Sequence, residues 1–423
     1  MTNASCAVVS PRPAQVLADR PIRILNIIQY PTFGGPHNLS LRLAPVLEKR
    51  GAYITVLIPD QPGNAENRFR SAGVAFLKAP MHRLRASLDP RYHLRFVGAL
   101  PGGVATIRRI IRQRAIDVVM VHGILHPHGA IAARLEGTAL AWDIPDVPRS
   151  RLHARVTMRL IDRWADVVLF TGKKTVGLYT DSMRDNFFPF MPPVDINDDF
   201  CPDPERRAAA RRELGCEPGD LVIGNIANVL WYKDHLTFIR AAALLRRTHP
   251  NTRFVIFGAT YPQYAKYNAC LWREAEELGL RLGVDIIQQD AGSRVGDLAQ
   301  AFDVFWMTSS CVETGPAAVC EAMALAQAVV TTDCGSVREM IEEGRSGFIT
   351  PVRSPERIAS VTADLLDNPE LRQRIGAEAR RVAVGKFNMD VCAELHSRAF
   401  RLAIAHRQKN KMGIAESCCT SGA

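Results

Sequence analysis

The stretch Thr308-Ser-Ser-Cys-Val-Glu313-Thr314-Gly315-Pro-Ala317-Ala318-Val-Cys-Glu321 decides how the rest of the chain is read. The apolar run before it, Ala301 to Met307, reads as a buried parallel strand. Pro316, with Gly315 before it, suits the first position of a helix. The amides of Ala317 and Ala318 would then lack intrahelical partners at the positive end of the helix dipole, a place for an anion such as a diphosphate. Glu313 lies in the loop beside that place, followed by Thr314 and Gly315. Glu321 falls about a turn and a half inside a helix that continues Ala-Met-Ala-Leu-Ala and is therefore predicted to be buried. A carboxylate there needs donors, because an unpaired buried charge is very costly. Two sources stay open: an Arg or Lys elsewhere in the chain, or the paired hydroxyls of a ligand.

Strand patterns alternate with helical ones on both sides of this stretch. They are predicted at Leu221–Ala227, Arg253–Phe257, Val284–Gln288, Val304–Met307 and Ala328–Thr332. The first of these leads through Asn228-Val-Leu-Trp-Tyr-Lys233-Asp-His into a helix ending near Arg247. Nearer the N-terminus, Ile22–Gln29 is followed by Pro-Thr-Phe-Gly34-Gly35-Pro-His37, an amphipathic helix through Arg50, and a strand at Ala52–Ile58. Further strands are predicted at Ala115–His122, Ala139–Trp142 and Val167–Phe170. The fold class is α/β, two doubly wound Rossmann-like domains facing a cleft that is the default ligand site. The first domain is expected over residues 21–190 and the second over 218–387. Residues 191–217, which follow a Pro-rich acidic start near Phe188, read as a linker that includes a helix at Glu205–Leu214. Residues 1–20 read as disordered and 407–423 as a flexible tail. Gly34 and Gly35 would let backbone approach a ligand closely, but GxGxxG is absent. Neither first βα turn carries the dinucleotide fingerprint, which argues against a dehydrogenase.

Of the 423 residues, 47% are hydrophobic and 23% charged, which is ordinary for globular material with room for two or three cores. No apolar run approaches a membrane span, and no secretory signal is visible. The ten cysteines show no CxxC pairs and no metal-ligand spacing, so reduced thiols in a cytoplasmic protein are expected. There is no Asp-x-Asp pair, and no metal or other cofactor is expected. The net charge of +10 is uneven: residues 1–190 hold 26 Lys and Arg against 13 Asp and Glu, the remainder 27 against 30. A basic first half suggests an anionic partner there, or else a solvated face. Arg108, Arg109 and Arg112 share a helix face, and Arg83, Arg85, Arg91 and Arg95 are interleaved with Leu84, Leu88 and Phe96. That pattern suits a peripheral patch on an anionic membrane surface. Nucleic acid is not expected, for want of a binding motif.

The pattern Glu313-x7-Glu321 within Glu-Thr-Gly-Pro-Ala-Ala-Val-Cys-Glu-Ala-Met-Ala resembles the retaining glycosyltransferases of family 4, which have the GT-B fold. The resemblance extends from about Ile22 to Phe400. It includes Gly34-Gly35, Pro-Val194-Asp195-x4-Phe200, Lys233-Asp234-His235, Asp333-Cys-Gly335-Ser-Val-Arg-Glu339 and Gly347-Phe-Ile-Thr-Pro351. It implies a helix at about 388–406 crossing back to the first domain. It also implies that the second domain binds a nucleotide-sugar donor, UDP- or GDP-linked, and the first a saccharide or lipid-linked acceptor. By the same resemblance Glu321 would bond the ribose hydroxyls. Glu313, with the Thr314, Gly315, Ala317 and Ala318 backbone, would hold the sugar and phosphate, and Lys233 would clamp the diphosphate. Gly34, Gly35, His37 and His122 would lie on the acceptor side. The implied activity is same-face transfer of a sugar in surface polysaccharide or glycolipid synthesis, at the inner face of the membrane. The chain departs from the family twice: Asn228 stands where an Arg commonly joins the clamp, and Pro145 where a sugar-binding His is expected. Those departures keep alive a catalytically silent nucleotide-sugar-binding subunit, beside a same-fold epimerase.

Overall fold

In the computed structural model of the protein, residues 20–82, 89–123, 127–145, 150–311 and 313–420 are described. The stretch expected to be disordered at 1–20 lies outside them except for Arg20, as do Arg83, Leu84, Arg85 and Leu88 of the expected basic patch.

Seven strands make the first sheet: β1 (Ile22–Ile27), β2 (Ala52–Pro59), β3 (Phe76–Ala79), β4 (Val118–His122), β5 (Ala139–Ile144), β6 (Val167–Thr171) and β7 (Phe187–Phe190). Their order is β3-β2-β1-β4-β5-β6-β7, every pair parallel. The central strands read as continuous apolar runs because both faces are covered, and β4 is buried at all five residues. Helices α1 (Gly35–Glu48) and α2 (Ala65–Ser71) cover one face, through Leu39, Leu43, Val46, Leu47 and Phe69. Helices α3 (Pro90–Gln113), α4 (Pro127–Glu136), α5 (Arg151–Trp164) and α6 (Lys173–Tyr179) cover the other. The change of face follows from right-handed crossovers whose direction reverses between β1 and β4.

The second sheet holds β8 (Leu221–Ile226), β9 (Thr252–Phe257), β10 (Ile286–Gln289), β11 (Val304–Met307), β12 (Ala328–Thr332) and β13 (Phe348–Thr350), in the order β10-β9-β8-β11-β12-β13. Its helices are α7 (Pro204–Glu213), α8 (His235–Arg246), α9 (Ala265–Glu277), α10 (Val295–Leu298), α11 (Ala317–Ala324), α12 (Val337–Met340), α13 (Pro355–Asp367) and α14 (Pro369–Lys386). Trp306 is fully buried and spends its indole N–H on the Thr362 hydroxyl at 2.8 Å.

Three sequence expectations need correction. The segment 191–217 is not a free linker. Val194, Phe200, Ala210 and Leu214 are buried in the second domain's core, and Arg207 and Arg211 both pair with Asp303. The C-terminal helix, α15 (Met389–Thr420), does not end near 406. Residues 407–420 contain no proline and only one glycine, Gly413, so nothing stops it. Two of the three arginines expected to face a membrane from α3 are spent inside the fold: Arg108 and Arg112 each reach Glu136 at 2.6 Å, and Phe96 is buried.

α15 packs on the first domain, placing Cys392, Ala393, Ala399, Phe400 and Ala403 in its core. Where the chain crosses back, the Val194 amide donates to the Phe387 carbonyl at 2.7 Å, so both connections between the domains run side by side. Among the described residues, no helix is long and apolar enough to cross a membrane.

Candidate active site

In a doubly wound sheet, ligands bind outside the carboxyl ends of the strands where the strand order reverses. In the second sheet that point lies between β8 and β11. The loop after β8 ends in a single 3₁₀ turn, Trp231–Lys233. Asp234 follows in the left-handed region (φ 52) and caps α8 by accepting from the Thr237 amide and hydroxyl, at 3.3 and 2.9 Å. The loop after β11 carries Glu313. The two meet, with the Lys233 ammonium paired to Glu313 Oε1. That oxygen also accepts from the Ser309 hydroxyl at 2.9 Å, and the Thr308 hydroxyl donates to the Lys233 carbonyl at 3.1 Å. The Tyr232 phenol beside them is pushed up by burial and by the Glu313 charge.

The Glu313 loop is held from behind. Gly335 lies at φ +63, and a Cβ there would sit 1.4 Å from the Glu313 carbonyl oxygen, so no side chain fits. The Ser336 amide donates to that same carbonyl at 3.2 Å. Helix α11 starts at Ala317, one residue later than expected, with Pro316 as its N-cap. The first intrahelical bond runs from the Val319 amide to the Pro316 carbonyl, so Ala317 and Ala318 lack intrahelical acceptors. Thr314 and Gly315 close the loop against the first domain. A Cβ at Gly315 would lie 2.3 Å from the Thr171 methyl, and the Thr314 carbonyl approaches Gly172.

Glu321 is 5% exposed, and its Oε1 accepts from Arg42 at 2.6 Å. Of the two donor sources left open by the sequence, the chain supplies the first. Arg42 stands two turns into α1 of the opposite domain. It also donates to the Pro193 carbonyl at 2.8 Å and lies over the Phe200 ring at 5.3 Å. A second carboxylate bridges the domains: Glu339 of α12 accepts from the Lys173 and Lys174 amides at 2.8 and 2.6 Å, filling the N-terminus of α6. Neither Arg42 nor the Glu339 contact was anticipated, because each partner lies in the other domain.

The remaining candidates scatter. Asn228, in an exposed position, spends its side-chain oxygen on the Ala259 amide at 3.0 Å and so braces a neighbouring loop. On the first domain, Gly34 and Gly35 open α1 at the switch point between β1 and β4. A Cβ at Gly34 would meet only ordinary contacts and one at Gly35 nothing within 4 Å, so the fold alone does not require glycine there. His37 is fully buried, bonded to the Tyr30 carbonyl at 3.0 Å and ringed by Tyr30, Phe33 and Phe69, and burial lowers its pKa to about 4. His122 is buried as well, between Asp143 (2.7 Å) and Asn26 (2.6 Å). Both histidines are thus buried and hydrogen-bonded within the first domain. Among the described residues, no group of three or more His, Cys, Asp or Glu lies together as metal ligands would.

Residues 206–382 match the family described as glycosyl transferases group 1. The chain is 30% identical over 195 residues to D-inositol 3-phosphate glycosyltransferase of Corynebacterium urealyticum, covering 45% of this chain and 46% of that protein. It is 26% identical over 261 residues to a GDP-mannose-dependent alpha-(1-6)-phosphatidylinositol monomannoside mannosyltransferase of Mycolicibacterium smegmatis, covering 60% and 65%. The matches thus span less than two thirds of either relative. The crystal structure of Anabaena Alr3699/HepE in complex with UDP-glucose superposes with a TM-score of 0.73, covering 92% of this chain and all of that one, at 18% identity. The architecture is therefore GT-B, as the sequence suggested.

Proposed function

We propose that this chain, whose residues 206–382 match the group 1 glycosyl transferases within a GT-B frame, is a retaining glycosyltransferase using a UDP- or GDP-linked sugar. One observation carries the reading. An ammonium and a carboxylate, 80 residues apart, converge beside the start of α11, at the carboxyl edge where the second sheet reverses. As a sugar leaves its nucleotide, negative charge grows on the diphosphate. Lys233 and the Ala317 and Ala318 amides are fixed donors for that charge, worth most in a site closed from water. Protein donors rather than a metal would then meet it. Glu313 would accept from sugar hydroxyls. Glu321 holds its charge through Arg42 and, as a four-site acceptor, keeps capacity for a vicinal diol. No nucleophile–base pair is needed if the departing phosphate takes the acceptor proton on the same face.

The acceptor reading rests on the glycine loop. Space in front of Gly34 and Gly35, not demanded by packing, suits a saccharide or lipid-linked acceptor brought to the cleft. One relative is named a phosphatidylinositol monomannoside mannosyltransferase, which supports a glycolipid acceptor for this chain as well.

The test is nucleotide release from a panel of UDP- and GDP-sugars, with and without lipid-linked acceptors. One donor should be turned over selectively. Lys233→Ala should lower its turnover more than its affinity, and Glu313→Gln should lower transfer while sparing bare-nucleotide affinity. If no donor is turned over but one binds, the silent-subunit reading replaces this one. If Glu313→Gln abolishes nucleotide binding, the two carboxylates have exchanged roles.

A further inference from the structure

Helix α5 carries three stripes. Ala154, Thr157, Met158 and Ile161 are buried against the sheet. Leu152, Val156 and Leu160, spaced by four, are 72%, 48% and 56% exposed. At 3.6 residues per turn their stripe lies roughly 150° round the helix from the buried one, so it points outward. Arg151, Arg155, Arg159 and Arg163, also spaced by four, run beside it and are all exposed. No ion pair joins any of these four to a described residue, whereas the helix's one acid, Asp162, is taken by Arg184. This differs from α3, where Glu136 neutralises Arg108 and Arg112.

A solvent-facing apolar stripe has a hydration cost, and like charges at four-residue spacing repel. A negatively charged interface relieves both at once. The leucine and valine side chains can enter the acyl boundary while the long arginine stems reach back to the phosphates. We propose that α5 is a docking helix that lies in the plane of an anionic phospholipid surface. Its place in the fold gives the docking a direction. α5 follows β5 in a parallel sheet, so its Arg151 end stands at the carboxyl edge from which the Gly34–Gly35 loop also leaves. The start of α3, after β3, stands at the same edge on the same face and exposes Leu94 and Val97 (73% and 63%) together with Arg91 and Arg95. A bilayer meeting both helices would lie at the mouth of the cleft on the first domain's side.

This surface is independent of the transfer reaction, and it can be tested with no donor present. The full chain is co-sedimented with phosphatidylcholine vesicles, with and without phosphatidylglycerol, at low and high salt. Two triple variants are compared with it: Arg151→Glu, Arg155→Glu, Arg159→Glu, and Leu152→Ser, Val156→Ser, Leu160→Ser. All six positions are exposed, so both variants should keep the parent's thermal midpoint. The parent should bind only the phosphatidylglycerol vesicles and lose binding at high salt. The charge-reversed variant should bind roughly a hundredfold or more weakly, since each basic residue near such a surface adds on the order of 1 kcal/mol. The serine variant should also bind more weakly. Equal binding by either variant, equal binding to neutral vesicles, or no binding at low salt would overturn the proposal. So would a dimer in solution that the serine variant dissolves, which would assign the stripe to a second copy of the chain.

Discussion

A carboxylate as enclosed as Glu321 keeps its charge only if donors come to it, and the donor here arrives from the other domain. Arg42 and Glu321 are 279 residues apart, side chains 10% and 7% exposed, joined at 2.6 Å. Removing one member of such a pair strands the other, so Arg42→Ala should destabilise the protein by about 3–5 kcal/mol. Nucleoside diphosphate affinity should fall with it, because Arg42 no longer holds the Glu321 carboxylate in position to accept from a diol. A double-mutant cycle with Glu321→Gln, read by urea unfolding and calorimetry, checks this. Effects that add to within ~0.5 kcal/mol would mean the two side chains do not act as a unit. The cycle also marks what could be read beforehand. That Glu313, Ala317 and Ala318 lie together at a helix start was legible because a loop carboxylate before such a start is a local pattern, whereas Lys233 entered only through family resemblance. Arg42 was not, since nothing near it in sequence signals a partner in another domain. His37 and His122 show the reverse difficulty: an imidazole at a helix start or a strand end looks the same in sequence whether it is exposed or, as both are here, buried.

Among the elements, the central strands β1, β4, β8, β11 and β12 were legible because burial on both faces leaves unbroken apolar runs. The unread ones lie at sheet edges: β3, β7 and β13, of four, four and three residues. Edge strands are short and half-covered, and Pro189 in β7 is tolerated only because an edge strand can forgo one donor. That proline made the segment look like linker. The loops tell a different story, since their shapes depend on contacts between distant turns. Gly335 is such a case: its backbone is left-handed and the Glu313 carbonyl oxygen lies 1.4 Å from where a Cβ would stand, so the two loops pack into one surface only because the residue is glycine. Gly335→Ala should cost on the order of 1–3 kcal/mol or more in stability and displace Glu313. Transfer should drop at least tenfold while bare-nucleotide affinity, which depends on Glu321 and α11, stays near the parent's. Unchanged turnover in a folded variant would show that Glu313 does not depend on this support.

For the whole molecule, the two domains are joined by α15, by the Val194–Phe387 crossing and by the Arg42 and Glu339 bridges, so they should unfold together. Acid is the condition that tests this, because each part carries a histidine buried in its neutral form. Burial lowers His37 and His128 in the first domain, His235 in the second and His396 on α15 from 6.5 to about 4. In the unfolded chain these groups titrate near 6.5, so between pH 6.5 and 4 the unfolded state binds more protons. Stability contributed by each is fully present above about pH 6.5 and is lost as the pH falls toward 4, on the order of 1.4 kcal/mol per pH unit per group. Below that window Asp285, held down by Arg281 and Arg246 against the opposing effect of burial, continues the loss as it protonates. Thermal melts should therefore be nearly flat above pH 7, fall steeply from pH 6.5 to 4, and keep one transition throughout, because losses in either domain pass through the shared helix. His235→Asn should flatten part of that slope, even if it lowers stability at neutral pH, since Asn cannot take up a proton. Two resolved transitions in acid would show that the domain contacts are weaker than the geometry implies, and a melting temperature constant from pH 7 to 5 would show that the histidines are not held neutral.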